Sequence, residues 1–179
     1  FYWSFYNRGE TRFELGDLQG AIDDYSQAIE LKKDDLAYQS RAYSKQKSKD
    51  YQGSLDDYSK AIELKPKEPH YYSMRGYSKW KSKDHQGAID DYSKAIELDP
   101  EKAHYYSTRG YIQSQLKDYQ EAIDDYSKAI ELEPKKAYYY SRRGSDKSIL
   151  GDNKGAVDDY SKAIELNPDE NEYYIFRGN

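Results

Sequence analysis

Residues Ala88–Leu98 read AIDDYSKAIEL, and the same string returns unchanged at Ala122–Leu132. Near copies stand at Ala21–Leu31 (AIDDYSQAIEL), Ser54–Leu64 (SLDDYSKAIEL) and Ala156–Leu166 (AVDDYSKAIEL). The last four copies start 34 residues apart, whereas Ala21 and Ser54 are 33 apart, so one residue is missing from the Lys32–Leu36 connection. A fixed period of this size marks a repeat array, in which each unit buries its apolar face against its neighbours. The units run 2–34, 35–68, 69–102, 103–136 and 137–170, with the start of a sixth at 171–179, and form a single array over 1–179.

Each unit predicts two helices, as Ala103–Lys136 illustrates. In AHYYSTRGYIQSQL, the apolar or aromatic positions are Tyr105, Tyr106, Ile112 and Leu116; Lys117-Asp118 then marks a turn. In YQEAIDDYSKAIEL, Tyr119, Ala122, Ile123, Tyr126, Ala129 and Ile130 fall at spacings of three and four, which line one stripe of a helix. Pro134 then stops the segment. On the opposite face Asp124 precedes Lys128 by four residues, and Asp56–Lys60, Asp90–Lys94 and Asp158–Lys162 repeat that order, which predicts solvated helix-stabilising pairs. The result is an all-α chain with no strands.

Hydrophobic residues make up 36% of the chain and charged residues 34%, a balance that on its own suggests disorder. The 22 tyrosines point the other way, because each ring buries a large apolar area while its hydroxyl still needs a partner. The formal net charge of -5 offers no attraction to phosphate backbones or anionic membranes. Cysteine is absent, so thiolate chemistry and disulfides are excluded. No apolar run approaches the ~20 residues that span a bilayer, and no leader sequence is visible. The chain begins at Phe1 and its single methionine is Met74, which reads as a piece of a longer or processed protein. A cytoplasmic setting is the expectation.

The 34-residue period and the placement of small residues resemble the tetratricopeptide repeat family, whose pattern runs W-x2-L-G-x2-Y, then A-x3-F, then P. The small residue of the first helix is Gly9, Ala42, Gly76, Gly110, Gly144 and Gly178; that of the second is Ala21, Ser54, Ala88, Ala122 and Ala156. The aromatic four residues later is Tyr25, Tyr58, Tyr92, Tyr126 and Tyr160, and the closing proline is Pro66, Pro100, Pro134 and Pro168. This resemblance implies an α-solenoid of antiparallel hairpins wound into a right-handed superhelix. It also implies a protein- or peptide-binding scaffold without catalytic activity or cofactor.

Two departures from the pattern stand out. The family's leucine is Arg8, Arg41, Arg75, Arg109, Arg143 and Arg177, and its first-helix tyrosine is Arg12, Lys45, Lys79, Gln113 and Lys147. A cation on a half-buried helix face needs a partner. The anion present in every unit is the acidic pair whose second members are Asp24, Asp57, Asp91, Asp125 and Asp159. A ladder of Arg–Asp pairs is therefore expected, aided by the lysine one turn on. Five-fold repetition suits such an architecture better than a unique charged-ligand site.

Catalysis and metal binding have little support, because nearly every polar motif recurs and a catalytic centre is assembled once. Adjacent aspartates on a helix point apart, and His70 and His104 lie one repeat from each other. No metal site is expected. In the family's arrangement the first helices line a concave face. Spacing assigns to it Trp3, Tyr6, Asn7, Glu10 and Phe13, then Ser40, Tyr43, Gln46 and Lys47, then Ser73, Tyr77 and Trp80, then Ser107, Tyr111 and Ser114, then Tyr138 and Arg142. Tyr43, Tyr77 and Tyr111 recur as a stripe on which an extended peptide could stack, and aromatic residues of this kind dominate binding hot spots. The same tyrosines serve equally to pack neighbouring first helices, and spacing does not choose between the two roles. Family members that hold acidic chaperone tails use Lys, Asn and Arg here; at the matching positions only Asn7 and Arg142 qualify, which argues against that clamp.

The expected partner is therefore a protein or extended peptide, with nucleic acid and membrane disfavoured. A structural module is the alternative: aromatic residues at Phe1–Phe5 and a truncated repeat ending at Asn179 favour weak head-to-tail self-association, with Tyr160, Ala163 and Ile164 partly uncovered.

Overall fold

The structure, a computed structural model, describes residues 1–168. All regular structure among them is helical and falls into five hairpins. The chain divides into two compact units, Phe1–Leu98 and the part from Asp99 onward. The first unit holds α1 (Tyr2–Glu14) with α2 (Leu18–Leu31), α3 (Asp35–Lys47) with α4 (Tyr51–Leu64), and α5 (Pro69–Lys81) with α6 (His85–Leu98). The second holds α7 (Ala103–Gln115) with α8 (Tyr119–Leu132), and α9 (Ala137–Ile149) with α10 (Asn153–Leu166). The shortened connection is Lys32–Asp34, against four-residue links such as Lys65–Glu68. The expected sixth repeat at 171–179, with Arg177 and Gly178, lies outside the described residues.

Small residues set the spacing within each hairpin. A Cβ on Gly9 would stand 2.8 Å from the Tyr25 ring, and one on Gly110 would stand 3.2 Å from the Ala122 carbonyl oxygen. Second helices place an alanine or serine opposite, then the tyrosine one turn on. Ala21, Ser54, Ala88 and Ala122 are fully buried, and Tyr25, Tyr58 and Tyr126 are at most 1% exposed. Each unit therefore has an aromatic plug between paired helices, with the apolar area of the ring supplying most of the driving force.

Second helices also carry a cap that periodicity did not reveal. Asp17, Asp50, Asp84 and Asp152 accept from the backbone N–H of Gly20, Gly53, Gly87 and Gly155 at 2.9–3.0 Å. A Cβ on Gly20 would lie 2.1 Å from the Asp17 carboxylate, so the carboxylate sits in space that glycine leaves free. Where Glu121 replaces that glycine, Asp118 makes no side-chain cap bond.

Two expectations need correction. The helix-surface lysines pair forward with glutamate rather than back with aspartate: Lys60–Glu63, Lys94–Glu97, Lys128–Glu131 and Lys162–Glu165 each lie at 2.8 Å. The long glutamate reaches the ammonium across one turn. The aspartates Asp23, Asp90 and Asp124 instead accept from Gln19, Gln86 and Gln120. Tyr160 and Ala163, expected to be partly uncovered, are 2% and 0% exposed. Their small-residue face turns inward to its own hairpin, where Ala137 and Tyr140 pack with Ala163 and Ile164.

Candidate peptide-binding face

The charged residues of the hairpins form a repeated unit. Arg41 grips Asp57 with two parallel bonds, Nη2 to Oδ1 at 2.5 Å and Nε to Oδ2 at 2.9 Å. The same fork joins Arg8 to Asp24, Arg75 to Asp91, Arg109 to Asp125 and Arg143 to Asp159, with Nη2 to Oδ1 distances of 2.5–2.7 Å. Planarity suits a guanidinium to this bidentate contact, which lysine could not make. Each aspartate is buried and joins the two helices of one hairpin. The remaining Nη1 of Arg41, Arg75 and Arg143 donates to Ser26, Ser59 and Ser127 at 2.9–3.1 Å. Those serines, which follow the core tyrosines of the preceding hairpin, link neighbouring hairpins and were not identified by spacing.

A second cation completes most of these groups. Lys45, Lys79 and Lys147 reach the Oδ2 of Asp57, Asp91 and Asp159 at 2.8–3.0 Å, and Arg12 does so for Asp24. Gln113 stands in this place in the fourth hairpin, and its Oε1 is buried without a partner. The Arg8 guanidinium, with Arg12 beside it, holds the Asp24 carboxyl below the ordinary carboxylate range. Burial instead pushes Asp125 up, against the pull of Arg109.

On the first-helix face of residues 1–98 the aromatic side chains touch one another. Trp3 meets Tyr6 edge-on at 5.8 Å, and the Tyr6 hydroxyl bonds Ser40 at 3.3 Å. Phe13 packs on Tyr43 at 5.4 Å, and Tyr77 meets Trp80 at 5.8 Å. Lys47 lies over the Tyr43 ring and Lys81 over both Trp80 and Tyr77, the closest at 4.1 Å. Trp3 is 59% exposed, while Tyr6, Phe13, Tyr43, Tyr77 and Trp80 are half-buried. Tyr43 and Tyr77 thus pack against neighbouring rings and remain half-buried. In the second unit Arg142 sits between Tyr111 and Tyr138, at 5.4 and 5.1 Å from the ring centres.

Three residues expected on this face are buried instead: Gln46, Ser73 and Ser107. Gln46 follows Ala42 by four residues, which turns it toward the next hairpin rather than outward. Its Nε2 donates to the Met74 carbonyl at 2.7 Å and to Ser78 Oγ at 2.6 Å, while its Oε1 accepts from the Tyr58 hydroxyl at 3.2 Å. The carboxamide is a polar rivet between α3, α4 and α5. His70 and His104 are both exposed, and each lies against its own following tyrosine. Among the described residues no group of three His, Cys, Asp or Glu is placed to hold a metal ion. Nor is any described helix long and apolar enough to cross a membrane.

Hairpins of this length, joined by small residues and repeating with this period, define a tetratricopeptide repeat array. One tetratricopeptide repeat model matches residues 2–35 and 103–136, and a second matches 36–68, 69–102 and 137–170. The chain belongs to the tetratricopeptide repeat family. Among solved structures it is similar to the MamA protein, with a TM-score of 0.88 at 21% identity, covering 96% of this chain and 94% of that one. MamA from Desulfovibrio magneticus RS-1 matches with a TM-score of 0.87 at 19% identity over 95% and 97% of the two chains. YrrB, described as a tetratricopeptide repeat protein with an unusual peptide-binding site, matches with a TM-score of 0.84 at 19% identity over 98% and 91%. A comparison with curated protein sequences returns no match. At these identities the structural likeness establishes the shared hairpin fold.

Proposed function

We propose that this chain is a non-catalytic scaffold that binds a protein partner through an extended peptide laid along its first-helix face. The observation that carries the reading is the half-open aromatic set Tyr6, Phe13, Tyr43, Tyr77 and Trp80, backed by a hydrogen-bonded, ion-paired core. Such a surface presents rigid rings at little entropic cost, and tyrosine and tryptophan are the residues most enriched at hot spots. Lys47 and Lys81 over the rings add positive charge at its edge, which suits a peptide carrying some acidic residues. An acidic chain with a net charge of -5 is poorly suited to nucleic acid.

Peptides selected from a random library against the intact chain test this. Tyr77→Ala and Trp80→Ala should each weaken the selected peptides by about thirtyfold, a hot-spot loss of about 2 kcal/mol. Unchanged affinity in both variants, with helicity intact, rejects this face as the binding surface.

A further inference from the structure

Within residues 1–98 the first-helix face changes charge from its first hairpin to its second and third. Where α3 and α5 carry the stripe tyrosines Tyr43 and Tyr77, α1 carries Glu10; where they carry Lys47 and Lys81, it carries Glu14. These two glutamates and two lysines are exposed, and among the described residues none of the four forms an ion pair. Glu10 and Glu14 stand one turn apart, an arrangement that repels unless a cation joins them. Glu10 is also held in place: the hydroxyl of Tyr25, 1% exposed, donates to its Oε1 at 2.5 Å. Trp3 and Tyr6 precede it on the same helix face at spacings of three and four, Trp3 meeting Tyr6 edge-on. On α3 and α5 the protein's own cations already cover the rings, Lys47 over Tyr43 at 5.1 Å and Lys81 over Trp80 at 4.1 Å. On α1 the open indole and the carboxylate stand together with no such cation between them, and each attracts one.

We infer that the first hairpin takes a lysine or arginine side chain of the bound peptide while the second and third take acidic ones, so that the face selects the order of charges in its partner. This ordering rests on peptide recognition by the first-helix face. The basic side chain lies against Trp3 and pairs with Glu10 and Glu14. The three first helices pack side by side, α1 touching α3 through Tyr6 and Ser40, and α3 touching α5 through Gln46 and Ser78. Packed helices lie about 10 Å apart, and an extended chain rises about 3.3 Å per residue. One hairpin thus spans about three residues of peptide, which puts the acidic residues about three and six positions from the basic one. Either chain direction satisfies that order. A basic residue in the middle satisfies neither, because it faces Lys47 and leaves an acidic residue facing Glu10, and repulsion of this kind is what excludes a wrong partner.

Two labelled seven-residue peptides of one composition test this on the full chain by fluorescence anisotropy. Both contain one arginine, two glutamates and alanine–tyrosine spacers. One has arginine first and glutamate fourth and seventh; the other has arginine fourth and glutamate first and seventh. Net charge and aromatic content are equal, so only the order differs. The arginine-first peptide should bind about tenfold more tightly at low salt, since two of three exposed charge contacts otherwise turn from attraction to repulsion. The preference should fade at about 0.5 M salt. Glu10→Gln, which keeps an acceptor for Tyr25, should cut it to about threefold by removing one of those two contacts. Equal affinities, a preference for the central arginine, or a preference that Glu10→Gln leaves unchanged overturns the inference, as does failure of both peptides to bind. The library peptides and the Tyr77 and Trp80 variants report on the rings alone, so the face can stand as a binding surface while the charge order fails.

Discussion

Replacing Asp57 with alanine isolates the interaction that lets this family member carry arginine where its relatives carry leucine. Asp57 is 3% exposed and receives three charged bonds, two from Arg41 and one from Lys45. Removing one partner of a buried pair costs about 3–5 kcal/mol, because the remaining charge is left uncompensated. Arg41 and Lys45 each keep 19% of their side-chain surface in water and partly rehydrate, which puts the expected loss at about 3 kcal/mol, the lower end of that range. Urea unfolding followed by circular dichroism and tyrosine fluorescence measures this, with coincident curves required because repeat arrays can unfold in stages. The double variant Arg41→Ala/Asp57→Ala should fall short of the sum of the single losses by about 2 kcal/mol, as expected for directly contacting charges. Asp24→Ala should cost less, since its partner Arg8 is 56% exposed and rehydrates freely. An Asp57→Ala loss below about 0.5 kcal/mol, or strict additivity in the cycle, refutes the reasoning.

Gln113→Lys supplies the second cation absent from the fourth hairpin; it should stabilise by about 1 kcal/mol and lower the Asp125 titration midpoint seen by carboxyl NMR. Asp146→Asn tests the buried carboxyl. Its folded-state pKa is raised by burial, so its contribution to stability is fully present below the unfolded value and is lost as pH rises through the folded one. The asparagine variant should therefore melt higher than the parent at pH 7, with the gap closing below about pH 4; a pH-independent gap contradicts this.

The repeat, the helix pairs and the contact residues were legible in the sequence because they depend on period alone. Spacing of 34 fixes the hairpin, positions three and four apart fix the stripe, and prolines fix the stops. The arginine–aspartate groups were legible for a related reason: a charge placed on a half-buried face in every repeat must meet the one anion that repeats with it. What lay beyond the sequence was set by angle and reach. Whether Gln46 faced outward or toward the next hairpin turned on a fraction of a helical turn, less than spacing arguments resolve. The helix-surface lysines chose glutamate over aspartate by side-chain length, and Asp118 makes no side-chain cap bond in the one second helix that carries Glu121 where its counterparts carry glycine. That the Tyr126 hydroxyl and Asp146 Oδ2 are buried without a hydrogen-bond partner emerged only in three dimensions, because a missing hydrogen bond is a property of distances between helices and not of any one residue.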